Sequence, residues 1–197
     1  MRTTRQKGWN RGWWLWLGLA VLLAGCARTP EMGYYTWMPE SPVEAVLPGA
    51  PLYVARVRVP DHLDDTRIWV RREGQRLQPL PNVRWSETPP PVITRLLQLQ
   101  FGGISEPSGQ PRLYVDIHRL EAQWQGEAPG EDRITLEARW WLEPGAPDIG
   151  QAVLEERLED RQPETLAAAK TRLVLALGDH LAETLSQELD QGTPGPE

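Results

Sequence analysis

The chain's single cysteine, Cys26, closes the run Leu23-Ala24-Gly25-Cys26. Arg2, Arg5, Lys7 and Arg11 precede it, followed by an apolar stretch from about Trp13 to Ala24. A basic region, a short apolar region and small residues at a cut make up a secretory signal peptide. A thiol at the cut is an acceptor for covalent modification. Farther along, Asp61, His62, Asp64 and Asp65 have the side chains of metal ligands. A calcium loop would need a tight glycine turn among its oxygens, and zinc would need a second histidine or a cysteine nearby. Neither is present, so these residues read as a solvated loop. Asp116 and His118 share one face of a strand and could pair by a hydrogen bond, yet no G-x-S-x-G serine accompanies them. His180 sits beside Leu177 and Leu181 and reads as a semi-buried packing residue. Glu155/Glu156 and Glu159/Asp160 read as a charged strand edge, because glycosidase acids must converge around a bond. No metal and no cofactor is expected.

The order of the first 26 residues resembles a bacterial lipoprotein signal, with Leu23 to Cys26 as its lipobox. That resemblance implies that the Cys26 thiol takes a diacylglycerol as a thioether. Cleavage then follows Gly25, and the freed amine of Cys26 is acylated. An uncleaved membrane-spanning helix would need roughly 20 apolar residues, and this run is shorter and diluted by Gly12, Gly18 and Gly25. A buried structural thiol would need a folded surround, which Arg28-Thr29-Pro30 does not supply.

Removing residues 1–25 leaves 172 of 197 residues, enough for one domain with its own core. The signal takes four of the 21 Lys plus Arg and none of the 27 Asp plus Glu, so 17 against 27 leaves a net charge of −10. So acidic a chain is not expected to bind nucleic acid, where phosphate contacts dominate affinity. With one cysteine the domain has no internal disulfide and must fold on its apolar core.

The elements that would position these residues follow from periodicity. Residues 26–33 form a short tether before Tyr34-Tyr35-Thr36-Trp37, and Pro39, Pro42, Pro48 and Pro51 break regular structure until a strand at Leu52–Val59. Alternation there puts Tyr53, Ala55, Val57 and Val59 on one face. Ile68 and Val70 alternate with Arg67, Trp69 and Arg71, and Glu73-Gly74-Gln75 turns into Leu77–Leu80. A further short strand is expected at Val83–Trp85. Thr88 and Pro89 open a helix carrying Ile93, Leu96, Leu97 and Phe101, which Gly102-Gly103 stops. Leu113, Val115 and Ile117 begin a strand that bulges near Arg119 and runs to Trp124. Ile134 to Leu142 alternates cleanly, and Ala152–Glu159 is a charged strand near an edge. Glu164–Leu189 is an amphipathic helix with Leu166, Leu173, Leu177, Leu181 and Leu185 on one face, and the tail from 191 is frayed. The order β-β-β-α-β-β-β-α predicts an α+β domain over 34–190, with an antiparallel or mixed sheet of about six strands and two helices on one face.

Several runs together carry a family resemblance: Tyr34-Tyr35-Thr36 after the cysteine, Val57 through Asp65, Ile68-Trp69-Val70-Arg71 and Val83 through Glu87. With the strand Ile134–Trp141 and the closing helix, the mature chain resembles the ABC-type transport auxiliary lipoproteins. Trp37 stands where an aliphatic residue is usual, and Thr88-Pro89-Pro90-Pro91 departs from the usual entry to the first helix. The resemblance implies a non-enzymatic, periplasm-facing lipoprotein that docks an MCE-domain protein of a lipid transport system, with its permease and ATPase reached indirectly. It also implies a homo-oligomeric ring. Ala27 stands where aspartate would signal inner-membrane retention, which favours the outer membrane. The alternative is a structural lipoprotein that binds cell wall or another envelope complex, with a periplasmic hydrolase using His118 a distant third. Aromatic residues are enriched at interface cores, so Tyr34, Tyr35, Trp37, Trp69 and Trp141 are the candidates for partner contact.

Overall fold

A computed structural model describes residues 30–46, 52–72, 74–102, 111–126, 129–144 and 150–191, with side chains to residue 187. The chain divides into two compact units, Met1–Glu31 and Met32–Glu197, and the fold below belongs to the second. Cys26 and the signal segment lie outside the described residues, as does the tail from 192. No helix among the described residues is long and apolar enough to cross a membrane.

The strands are β1 (Gly33–Tyr35), β2 (Tyr53–Val54), β3 (Arg67–Arg72), β4 (Arg76–Trp85), β5 (Arg112–Trp124), β6 (Arg133–Glu143) and β7 (Gly150–Arg157). Helices α1 (Pro89–Gln100) and α2 (Pro163–Gln191) complete the domain. One mixed sheet runs β1-β4-β3-β5-β6-β7, and β2 also pairs with β5. The β3/β4, β5/β6 and β6/β7 pairs are antiparallel, whereas β1/β4, β2/β5 and β3/β5 are parallel. The expected α+β architecture is the observed one.

Alternation along β5 and β6 sends Leu113, Val115, Ile117, Ile134, Leu136 and Trp140 to one face. There they meet Ile93 and Leu97 of α1, its C-cap residue Phe101, and Leu166, Leu173 and Leu177 of α2, all buried. Burying each such side chain contributes roughly 1.5–3 kcal/mol before the entropy of ordering is charged against it. Trp140 lies over Gly150, where an added Cβ would fall 2.1 Å from the indole, so only glycine fits opposite it.

The helix starts and stops follow local chemistry. Thr88 occupies the N-cap position but makes no side-chain cap bond. Pro89, Pro90 and Pro91 lack N–H groups, so three of the four donors a cap would satisfy do not exist. Gly102, at φ +69, ends the helix in a conformation that only glycine adopts without strain.

Three expectations need correction. The strand foreseen at Leu52–Val59 reduces to Tyr53–Val54 and a single bridge from Arg58 to Asp116. Tyr53 pairs with Arg112 and Arg58 with Asp116, so five steps on one side oppose four on the other. The extra residue shifts the phase: Leu52 and Val54 are buried before it and Val57 after it, while Tyr53 and Ala55 are half-buried. Helix α1 satisfies the backbone this slip frees, as Thr94 Oγ1 accepts the Val57 N–H (3.0 Å) and Gln98 Nε2 donates to the Val54 carbonyl (3.0 Å). Second, Leu77–Leu80 and Val83–Trp85 are one strand, β4, because Asn82 at φ 56 turns the chain without ending the pairing. Third, Gly33–Tyr35 is a strand, paired in parallel with Val83–Trp85.

Candidate functional site: the helix-free face of the sheet

The side chains between the core positions form the opposite face of the sheet. β5 sends out Tyr114, Asp116, Arg119 and Glu121, and β6 sends out Thr135, Glu137, Arg139 and Trp141. β3 adds Arg67, Trp69 and Arg71, and β1 adds Tyr34 opposite Arg84. The predicted bulge falls between Ile117 and Arg119. It keeps Leu120, Ala122 and Trp124 in phase with the core and leaves His118 as the exposed extra residue. For that reason Asp116 and His118 do not form the pair their spacing offered, and no hydrogen bond joins them among the described residues.

Glu121 is the hub of this face. Its side chain is 3% exposed, and its Oε1 lies 2.7 Å from Nε2 of His62. Its Oε2 accepts from Arg71 Nε at 2.8 Å and Nη2 at 2.5 Å. Arg71 Nη1 also donates to the Gln75 carbonyl (3.2 Å) and to Gln75 Oε1 (3.1 Å). One buried carboxylate thereby joins β5, β3, the β3–β4 turn and the 60–65 loop. That loop is less solvated than its composition implied. Leu63 is buried, and Asp65 binds both the backbone N–H and the guanidinium of Arg67. Burial pushes the Asp65 carboxyl up, but those Arg67 bonds outweigh it and hold it below its usual value. A cleft of about 380 Å³ lies here, lined by Pro60, His62, Arg71, His118, Arg119 and Glu137. Among the described residues no three metal-capable side chains converge.

Elsewhere the face carries aromatic rings and ion pairs. Trp141 stacks on Tyr114 with centroids 5.3 Å apart and planes within 7°. The Arg67 guanidinium sits 4.7 Å from the Trp69 ring centroid. Arg119 pairs with Glu137 (3.1 Å) and Arg133 with Glu155 (3.4 Å), while on the covered side Glu156, opposite Ile134, pairs with Arg172 of α2. The carboxylates of β7 are thus cross-linked to neighbouring elements. Of the aromatic candidates, Tyr34, Trp69 and Trp141 share this face, whereas Tyr35 and Trp37 turn toward the core.

Sequence reasoning passed over Lys170, which is 1% exposed on the helix side of the sheet. Its Nζ donates to the Leu120 carbonyl (3.2 Å) and lies 5.5 and 5.3 Å from the ring centroids of Trp37 and Trp85. Those two rings meet edge to face, 5.3 Å apart at 79°. Burial pushes the ammonium down to about 8, against the opposing attraction of Glu121 across the strand. A readable signal existed: Lys170 falls four residues after Leu166 and three before Leu173, inside the apolar stripe of α2. His180 packs as expected, edge-on to Trp140 at 5.6 Å.

The geometry defines a scaffold with one covered face and one face open for contact. The model of one family, the ABC-type transport auxiliary lipoprotein component, matches residues 35–182. The chain belongs to that family of auxiliary lipoproteins of ABC-type transport, in agreement with the resemblance carried by its motifs. Two solved structures share its fold. Protein XCC0632 from Xanthomonas campestris superposes with a TM-score of 0.64 at 16% identity, covering 81% of this chain and 99% of that one. A crystal structure of an uncharacterised protein gives 0.64 at 15% identity, covering 79% and 99%. No curated protein matches the chain.

Proposed function

We propose that this protein is the outer-membrane-anchored, periplasm-facing adaptor of an ABC-type lipid transport system. In this reading Cys26 carries an S-diacylglycerol and an N-acyl chain after cleavage behind Gly25. The domain at 34–190 docks an MCE-domain protein that spans the periplasm, works as a homo-oligomer and performs no chemistry itself. Family membership supports the transport role. The open sheet face supports the docking part, because Trp141, Tyr114 and Trp69 present ring surface among charges of both signs, some of them paired, as Arg119 is with Glu137 and Arg133 with Glu155. A surface of mixed charge with aromatic islands suits protein recognition, where aromatic residues concentrate at the interface core.

The test is a photo-crosslinking amino acid at Trp141 in intact cell envelopes, with the same probe at buried Leu136 as a control. Mass spectrometry is expected to identify an MCE-domain protein attached at position 141 and not at 136. Crosslinks solely to cell-wall-bound proteins would replace the adaptor role with that of a structural envelope lipoprotein.

A further inference from the structure

Five large hydrophobic side chains are exposed among the described residues, and three lie in the N-terminal arm: Met32 (39%), Tyr34 (67%) and Met38 (71%). The arm alternates along its length. Tyr35 and Trp37 turn inward, with Trp37 wedged against Trp85, while Met32, Tyr34, Thr36 and Met38 turn outward. β1 is the edge strand at one end of the sheet. At the opposite edge, β7 exposes Gln151, Glu155 and Arg157 around the single large apolar Val153. Charge of that kind protects an edge from unwanted pairing, and an uncharged apolar row does not. Glu31 and Glu40 bound the row, so residues 32–39 form an uncharged window in an acidic domain.

We propose that the outward row Met32, Tyr34 and Met38 rests on the headgroup–acyl boundary of the membrane that holds the lipid anchor. It forms a second, non-covalent contact that sets the orientation of the domain. This rests on the lipidation of Cys26 advanced above. Six peptide steps separate Cys26 from Met32, a contour of at most about 22 Å. Met32 therefore stays near the bilayer surface whatever path the tether takes. The row is about 20 Å long if extended. Methionine supplies a flexible apolar stem, and tyrosine is enriched at membrane–water interfaces because its ring is apolar and its tip polar. The acidic domain as a whole is repelled by an anionic leaflet, and the exposed, uncharged window next to the tether offers a place where approach is not opposed.

The test uses the full chain isolated with its lipid and placed in nanodiscs of phosphatidylethanolamine and phosphatidylglycerol. Lipidation consumes the Cys26 thiol, so Tyr34→Cys, Met38→Cys and, as a control, Gln151→Cys each carry one reactive thiol for a nitroxide. Accessibility to oxygen relative to a water-soluble nickel chelate reports depth. The ratio is expected to be severalfold higher at 34 and 38 than at 151. Equal, aqueous ratios at all three positions in a lipidated protein overturn the inference. Dipolar broadening between labels at 34, with aqueous ratios, overturns it in favour of a second copy of the chain as the cover. If the unsubstituted chain itself takes the label and its mass shows no lipid, the anchor falls and this contact with it.

Discussion

Glu121 and Lys170 lie on opposite sides of one strand, and the fold treats them differently. On the open face Glu121 meets the Arg71 guanidinium in two bonds and His62 in a third, all from neighbouring elements. On the covered face the Lys170 ammonium has one carbonyl and two indole rings, with no carboxylate within bonding reach. A buried charge with matched partners costs little beyond its desolvation, whereas one without them surrenders its proton more readily. The open face thus surrounds its ion with charged and hydrogen-bonding partners, and the core face leaves its own to a carbonyl and two rings.

Breaking the better-matched side has the largest expected effect. Arg71→Met leaves Glu121 buried with only His62, and removing one partner of a buried pair costs about 3–5 kcal/mol. Urea denaturation at pH 7 should show this as a lowered midpoint with an unchanged slope. An unchanged midpoint would mean that water reaches Glu121 and the two faces are alike.

The pH dependence sharpens the other side. Lys170 has a folded value of about 8, below its unfolded 10.5. Between those values the unfolded chain binds more protons, so stability rises with pH across that window and is flat below it. The full change is roughly 3 kcal/mol, from 1.36 kcal/mol per pH decade. Lys170→Met should raise the melting temperature at pH 7 and remove the slope between pH 8 and 10.5. A slope that survives the substitution would assign it to other groups. The smallest change is expected from His62→Ala, about 1 kcal/mol, because the half-exposed site lets water replace the lost bond. A loss as large as that of Arg71→Met would make His62 an equal partner in the hub.

Much of the fold was legible in the sequence. The alternation in Leu113–Ile117 and Ile134–Leu142 and the stripe from Leu166 to Leu185 encode burial directly, and the structure follows them. The failures occur where one extra residue changes phase. Tyr53–Val59 reads as regular because its apolar residues alternate, and only pairing with β5 reveals the slip. β1 is three residues long and draws its identity from β4 rather than from its own pattern. Glu121 carries no signal in its own segment, since only side chains distant in sequence bury it. Lys170 was the opposite case, a polar residue inside an apolar stripe whose anomaly was visible and went unread.

The arm has a mechanical consequence. β1 lies parallel to β4, so a tug on the chain before Gly33, directed along the strand, loads its rungs together instead of peeling them in turn. Behind the rungs Trp37 is seated against Trp85, and Trp85 is itself the partner of the last rung at Tyr35. The indole works as a stopper knot: strain arriving from the residues before Gly33 meets residue 37 before it reaches the helices.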